Sequence, residues 1–339
     1  MTADNKDVLL DSDHFIDSSQ VPGLKLKIRE RCLRLPGLAV KQSIPLLMVH
    51  GATVSSLLWD HPIPQWSWMN RLARDGFHVY ALDIRGYGGS TRAAPLETFH
   101  PQDSPPYACA EEVQQDIDDA ISFILNKHHV PRVDLLGGSW GSITCGLFAS
   151  SSRASRVRRL VLYAPIYDEG HTKTSWWKVA VDPDNPNQVS PKLGAYRWVT
   201  REGLASRWDD EIPHADKSVW RPSDVFEELF SACLDEDPIS RSRSPHAFRA
   251  PNGTLVDLFA AYTGKPVFNA RHITVPTMLI RGDHDDTSSR VGSMKLFDAL
   301  GSEQKSYVEI GNGAHFVILE RQAPTVHAAV ASFLAVPGG

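Results

Sequence analysis

The sequence predicts an α/β protein in which a mostly parallel central sheet is flanked by helices. Short runs rich in leucine and β-branched residues alternate with longer runs of helical periodicity, which is typical of parallel strands covered on both faces. Several strand-like runs are continuously apolar, as expected for strands that are buried on both sides. The chain has 339 residues, of which 42% are apolar and 22% charged. Its length and composition therefore indicate a folded globular protein with one large core.

Six runs are predicted to form strands of this sheet, and several of them are the continuously apolar runs expected of strands buried on both sides. They cover residues 45–49, 79–82, 133–136, 159–163, 277–280 and 306–309. An earlier segment, residues 24–33, is predicted to add antiparallel strands at the start of the sheet.

Helices are predicted between these strands. Val113, Ile117 and Ile121 recur at helical spacing with Asp118 and Asp119 on the opposite face, which predicts an amphipathic helix over residues 111–127. Similar patterns predict helices over residues 66–74 and 325–334, and a run of small and apolar residues predicts one over 142–149.

The alternation of strands and helices stops between about residues 165 and 269, where Trp, Arg, Asp and Pro are frequent. This segment holds five of the nine tryptophans, which is too much aromatic surface for a disordered loop. We therefore expect a folded insertion over residues 165–269, packed on a main domain that residues 1–164 and 270–339 form together.

The net charge and the cysteine spacing argue against nucleic acid and metal ions as binding partners. Lys and Arg total 35 against 40 for Asp and Glu, and this net charge of −5, without a concentrated basic face, is unlike that of a nucleic-acid-binding protein. The four cysteines, Cys32, Cys109, Cys145 and Cys233, lack the spacing of a zinc site or a redox pair. We expect reduced thiols, no metal and no cofactor.

No run approaches the roughly 18 uninterrupted apolar residues that a membrane span requires. The first fifteen residues carry acidic side chains where a secretion signal has positive charge. We therefore expect a cytoplasmic protein whose partner is a small-molecule substrate rather than a membrane or a nucleic acid. The sequence leaves the oligomeric state open.

The strongest chemical signal is the motif Gly137-Gly138-Ser139-Trp140-Gly141. It follows one predicted strand directly and precedes a predicted helix, which is the context of a nucleophile elbow: a tight turn whose flanking glycines expose the serine hydroxyl. The alternative is an ordinary serine in a glycine-rich turn.

A serine hydroxyl needs a base, and the base needs a group that fixes its tautomer. The strand at residues 277–280 leads to Asp285, and the strand at 306–309 leads to His315, so both side chains follow strand ends, where active-site loops lie. The order Ser139, Asp285, His315 resembles that of the α/β-hydrolase superfamily, and the resemblance extends over nearly the whole chain. Some relatives place the acid after an earlier strand, which makes Asp168 the alternative to Asp285.

The resemblance also implies an oxyanion hole. The segment His50-Gly51-Ala52 is similar to the family's oxyanion loop, so the backbone N–H groups of Ala52 and Trp140 would bind the oxyanion. The glycine-containing loop at residues 83–90 resembles a structural loop of the family. His50 is expected to brace its loop rather than to act in catalysis.

The resemblance implies a serine hydrolase with a mainly helical cap at residues 165–269. A serine at the elbow is unlike the epoxide hydrolases and haloalkane dehalogenases of this fold, which use aspartate there. We expect the enzyme to cleave an ester or lactone of a bulky, partly apolar small molecule, with Trp176 and Trp177 of the cap binding the substrate. Alternatives are an amidase or aminopeptidase, because Gly137 to Ser142 resembles the elbow of proline iminopeptidases, a C–C bond hydrolase, and a lyase or receptor without hydrolytic activity.

Overall fold

The computed structural model describes residues 8–34, 44–98, 100–170 and 174–336. Within them, eight strands form one sheet and two strands form a second, small sheet. The strands are β1 (Val8–Asp17), β2 (Lys25–Arg34), β3 (Leu46–Val49), β4 (Val79–Asp83), β5 (Val133–Gly138), β6 (Val157–Tyr163), β7 (Tyr196–Thr200), β8 (Ala247–Pro251), β9 (Thr277–Gly282) and β10 (Lys305–Ile310). The α-helices are α1 (Trp68–Arg74), α2 (Ala94–Glu97), α3 (Ala110–His128), α4 (Trp140–Ala149), α5 (Arg201–Asp209), α6 (Ser223–Glu236), α7 (Gly253–Tyr262), α8 (Arg290–Ala299) and α9 (Ala323–Ala335).

The large sheet has the order β1-β2-β4-β3-β5-β6-β9-β10. Its last six strands are parallel to one another, while β2 is antiparallel to both β1 and β4. This arrangement confirms the α/β fold, with its mostly parallel central sheet and flanking helices. Because the parallel strands run in one direction, the loops after β3, β5, β9 and β10 all emerge at the same edge of the sheet.

The six predicted strands and the four predicted helices are all present, with small shifts at their ends, and β10 forms the half-buried edge of the sheet. The segment predicted to add antiparallel strands forms one strand, β2. The sequence analysis missed β1, because this edge strand is mostly exposed or half-buried and carries polar residues where a buried strand has apolar ones. Of the N-terminal fifteen residues considered for a secretion signal, residues 1–7 lie outside the described part of the chain.

Between residues 165 and 269 the chain leaves the large sheet. It forms the helices α5, α6 and α7, in agreement with the mainly helical segment that was predicted. It also forms the antiparallel pair β7–β8, which was not predicted. The rings of Trp208, in α5, and Phe316, in the loop after β10, stack with 4.7 Å between their centroids. The insertion therefore packs against the loop that carries His315. Among the described residues, none of the helices combines the length and apolar character needed to span a bilayer.

A buried ion pair anchors the loop after β4 to α3. The Arg85 guanidinium donates hydrogen bonds to the Asp116 carboxylate at 2.7 and 3.0 Å, and the Arg85 backbone N–H donates to it at 3.0 Å. Both side chains are almost fully inaccessible to solvent. Two residues further on, the hydroxyl of Tyr87 donates to the carbonyl of Ala52 at 2.7 Å. This ion pair thereby supports the loop after β3.

We predict that Arg85→Met lowers the free energy of unfolding by about 3–5 kcal/mol, because it leaves the Asp116 carboxylate buried without its cation. Arg71→Met is the matched control, since Arg71 pairs with Asp75 at the surface, where such pairs contribute at most about 1 kcal/mol. Urea denaturation of both variants measures the difference. Equal, small losses would show that Arg85 does not stabilise the loop.

Candidate active site

Ser139 lies in a tight turn between β5 and α4. Its backbone has φ 56° and ψ −123°, a conformation that is strained for any residue other than glycine. A Cβ atom at Gly137 would lie 2.2 Å from the carbonyl oxygen of Gly141, and one at Gly141 would lie 2.5 Å from the carbonyl oxygen of His50. The turn can therefore close only with glycine at both positions, which is the physical basis of the motif.

The structure brings Ser139, His315 and Asp285 together. Ser139 Oγ lies 2.9 Å from His315 Nε2, and His315 Nδ1 lies 2.9 and 3.0 Å from the two carboxylate oxygens of Asp285. With the proton on Nδ1, the imidazole donates to Asp285 and accepts from the Ser139 hydroxyl. These contacts have the geometry of a nucleophile, a base and an orienting acid.

The alternative acid, Asp168, is not at this site. Its carboxylate accepts a hydrogen bond from the Lys295 ammonium at 2.9 Å and is partly exposed. Asp285 is buried, and one of its oxygens also accepts a hydrogen bond from the Ser288 N–H at 2.7 Å. The geometry therefore favours Asp285 over Asp168 as the partner of His315.

The loop after β3 presents its backbone to Ser139. A Cβ atom at Gly51 would lie 3.0 Å from the Ser139 Cβ, so the two backbones are in close contact. The ring of His50 donates from Nδ1 to the Gly51 carbonyl at 2.9 Å and accepts from the Ile84 N–H at 3.3 Å. Since the carbonyl and N–H of a trans peptide point in opposite directions, this bond turns the Ala52 N–H away from His50.

His50 thus fixes the orientation of a candidate oxyanion donor, and it braces its loop as the sequence suggested. Burial lowers the pKa of His50, which favours the neutral ring that these two hydrogen bonds require. Trp140 is the first residue of α4, where the backbone N–H has no partner within the helix and can donate to a ligand.

A small cavity of about 20 Å³ opens beside Ser139. Its lining combines backbone of the loop after β3, apolar side chains, the nucleophile and base candidates, and one cation: Gly51, Ala52, Thr53, Val54, Leu58, Ser139, Tyr163, Arg207, His315 and Phe316. A second, outer cavity of about 490 Å³ is lined by Trp176, Arg207 and polar residues that include the acidic side chains of Asp210, Glu211 and Asp286. Arg207 lines both cavities, so it separates the space beside Ser139 from the outer one.

The two tryptophans expected to bind substrate lie in different surroundings. Trp176 lines the outer cavity, and its ring packs beneath the guanidinium of Arg207, 3.8 Å from Arg207 Cζ. Trp177 is buried and stacks on Tyr262 with 4.9 Å between ring centroids. The structure brings Trp176, but not Trp177, to a described cavity.

Two glutamates hold the loop that carries His315, and the sequence analysis identified neither of them. Glu211 accepts hydrogen bonds from the His315 N–H at 2.8 Å and from the N–H and hydroxyl of Thr287 at 3.0 and 2.9 Å. Glu320 accepts from the Ala314 N–H at 3.0 Å and from the indole N–H of Trp208 at 2.7 Å. The role of both glutamates depends on how the insertion packs against the loop after β10. Such a tertiary contact leaves no motif in the sequence.

Burial controls the charge of these two glutamates. Burial, followed by repulsion from the Asp285 carboxylate, raises the pKa of Glu211 to about 7. Burial likewise raises the pKa of Glu320 to about 7. Both side chains therefore hold their protons more readily than an exposed glutamate does, which limits the negative charge that gathers around Asp285.

A second cluster of polar side chains lies at the opposite end of the sheet. The potential ligand atoms of Glu30, His78 and His128 all lie within 4.8 Å of one another, which is close enough to hold a metal ion. The Glu30 carboxylate already accepts hydrogen bonds from His78 at 2.5 Å and from the Lys127 ammonium at 2.8 Å. Lys127 thus supplies the positive charge that a metal ion would bring, so the cluster is accounted for as a hydrogen-bond network.

The sequence was compared with known proteins. It matches the model of a family described as alpha/beta hydrolase fold over residues 44–322. Epoxide hydrolase 3 of Xenopus tropicalis is 23% identical over 251 residues, which make up 72% of this chain and 59% of that protein. The chain thus spans about three fifths of the length of this curated relative.

Solved structures share the fold. The enol-lactonase from Burkholderia xenovorans LB400 has a TM-score of 0.60 at 18% identity, covering 95% of this chain and 100% of that one. An esterase from Thermogutta terrifontis has a TM-score of 0.59 at 19% identity, covering 95% and 98%. The meta-cleavage product hydrolase CumD from Pseudomonas fluorescens IP01 has a TM-score of 0.57 at 15% identity, covering 92% and 94%. At these identities, the similarity shows the fold alone.

We predict that Asp285→Asn lowers kcat about 10⁴-fold, because the amide favours the imidazole tautomer that cannot accept the serine proton. Asp168→Asn is the matched control and is expected to change kcat little. Steady-state kinetics on one ester substrate compare the two variants. A large loss in Asp168→Asn alone would assign the acid to the end of β6 instead.

We predict a pH-dependent stability contribution from Glu211. Because its pKa is about 7 in the folded protein and near 4.5 when unfolded, the folded state binds more protons between these values. The contribution is therefore fully present below pH 4.5 and is lost as the pH rises to 7.

Urea denaturation of the wild type and Glu211→Gln at pH 5 and pH 8 measures this contribution. The unfolding free energy of the wild type, relative to the variant, should fall by about 1–3 kcal/mol between the two conditions. A constant difference between the proteins would mean that Glu211 titrates as an exposed glutamate does.

Proposed function

The chain belongs to the α/β hydrolase family, and we propose that it is a serine hydrolase that cleaves an ester or a lactone through an acyl-enzyme. The observation that supports this proposal most directly is the chain of hydrogen bonds from Ser139 Oγ through the His315 ring to the Asp285 carboxylate. This arrangement can activate a hydroxyl that is otherwise a weak nucleophile at neutral pH.

In the proposed mechanism, Ser139 Oγ attacks the substrate carbonyl carbon while His315 Nε2 takes the hydroxyl proton. Asp285 holds the ring in the required tautomer and stabilises the imidazolium that forms. His315 then gives its proton to the leaving alkoxide oxygen, so the alcohol departs and the acyl group stays on Ser139. Water, deprotonated by His315, attacks the acyl-enzyme and releases the acid.

The developing oxyanion is bound by the backbone N–H groups of Ala52 and Trp140 in this proposal. Both lie next to Ser139, one on the loop after β3 and the other at the start of α4. Such fixed donors are among the largest contributions to catalysis of acyl transfer. His50 supports the first donor, because its hydrogen bond fixes the peptide that carries the Ala52 N–H.

The lining of the inner cavity favours an ester or lactone over an aminopeptidase substrate. Val54, Leu58 and Phe316 give it apolar walls that fit a partly apolar substrate. None of the described residues that line it is a carboxylate, and its one formal charge is the positive charge of Arg207. The ammonium group of a peptide N-terminus would be repelled there.

Ser139 also distinguishes the proposed activity from the activity named for the curated relative, an epoxide hydrolase. Epoxide hydrolases of this fold carry an aspartate at the elbow. A serine in that position forms an ester with an acyl group instead, so acyl transfer is the reaction that this elbow supports.

We predict that Ser139→Ala lowers kcat on p-nitrophenyl esters by about 10⁶-fold, because it removes the attacking oxygen. Ser242→Ala is the matched control, since Ser242 is an exposed serine of the insertion. Rapid-mixing assays of the wild type with p-nitrophenyl esters and an amino-acid p-nitroanilide test the bond preference, and a burst of nitrophenol would mark the acyl-enzyme. Substantial turnover by folded Ser139→Ala, or a preference for the anilide, would contradict the proposal.

A further inference from the structure

Arg207 places a positive charge beside Ser139. This half-buried residue lies on α5 in the insertion, and it lines the inner cavity together with Ser139 and His315. Its guanidinium donates a hydrogen bond to the hydroxyl of Thr53, the residue that follows the candidate oxyanion donor Ala52. The charge is therefore close to the position where a substrate carbonyl would bind.

Within the described residues, no carboxylate lies within ion-pair distance of this guanidinium. Arg201 and Arg221 of the same insertion each pair with an acidic residue. The Glu211 carboxylate acts electrostatically on Arg207, but it is engaged by His315 and Thr287, and burial raises its pKa to about 7. Arg207 is thus left with little compensation for its charge.

Two neighbouring side chains add a second positive charge and a second donor without a carboxylate partner. The guanidinium of Arg197 also donates to Thr53, at 3.2 Å, and so brings a second positive charge close to Arg207. Burial, together with Arg197, lowers the pKa of Arg207 to about 10, which still leaves it charged at neutral pH. The Trp176 ring stacks against Arg207, and its buried indole N–H has no acceptor among the described residues.

The Arg207 guanidinium has a hydroxyl but no carboxylate as partner, and the Trp176 N–H has no acceptor among the described residues. A ligand anion would supply both. Planar, bidentate binding of a carboxylate is the interaction for which arginine is best suited. The Trp176 ring stacks on the guanidinium and restricts the Arg207 side chain, which reduces the conformational entropy lost when the anion binds. We propose that Arg207 binds a carboxylate carried by the substrate, so that the preferred ester or lactone is an anion.

This inference rests on the proposed function and names the substrate class for it. Monomethyl glutarate and dimethyl glutarate are a matched pair, because they share one carbon skeleton and differ in one negative charge. The pair 4-acetoxybutyrate and its methyl ester carries the charge on the alcohol side of the scissile bond instead. Comparing the two pairs shows from which side the carboxylate reaches Arg207.

We predict that kcat/KM of the wild type for one of the anionic esters exceeds that for its neutral partner by about ten- to a hundredfold, the range of a charge-assisted hydrogen bond. Arg207→Met should bring this ratio close to one, and Arg207→Lys should keep part of it. Arg201→Met, which removes an exposed charge from the same helix, is the matched control and should leave the ratio unchanged. A wild-type ratio near one, with Ser139-dependent hydrolysis intact, would overturn the inference and leave the proposed function standing.

A binding measurement keeps the two hypotheses separate if no ester is turned over. Calorimetric titration of Ser139→Ala with the same anionic and neutral esters reports recognition without chemistry. An anionic ester should bind about ten- to a hundredfold more tightly than its neutral partner, and Ser139→Ala with Arg207→Met should lose the difference. Equal binding of each anionic ester and its neutral partner by Ser139→Ala would contradict the inference whatever reaction the enzyme catalyses.

Discussion

The backbone turn at Ser139 is the constraint on which the rest of the site depends. It holds a serine at φ 56° between a buried strand and a helix. The turn closes because Gly137 and Gly141 allow the two segments to approach within a distance that a Cβ atom would block. The same close approach brings the loop after β3 against Ser139 and places the start of α4 beside it. The candidate nucleophile and the candidate oxyanion donors are therefore positioned by one packing contact.

The insertion contributes Arg207 to the lining of the cavity, and it also supports the loop that carries His315. Glu211 accepts from the backbone N–H of His315, and Trp208 donates to Glu320, which in turn holds the N–H of Ala314. Correct placement of the base therefore depends on docking of a segment more than a hundred residues away in the sequence. Because burial keeps the pKa values of both glutamates near 7, this support adds little negative charge beside Asp285.

Much of the fold and the core of the site could be predicted from the sequence, because they depend on local patterns. Continuous apolar runs mark the inner strands, and the residues after β5, β9 and β10 reach the same edge of the sheet through its topology. Strand β1 could not be recognised, since an exposed edge strand needs no apolar run. Arg207 and Glu211 could not be recognised either, because their importance comes from tertiary contacts that no spacing encodes.

The proposed function requires Ser139 to be a nucleophile that His315 activates. Labelling with a fluorophosphonate, followed by peptide mass spectrometry, tests it most directly, because the probe forms a covalent bond only with an activated hydroxyl. We expect one adduct, on Ser139, that forms rapidly in the wild type and at least about a thousandfold more slowly in a folded His315→Ala variant. An unlabelled wild type, or labelling that does not depend on His315, would contradict it.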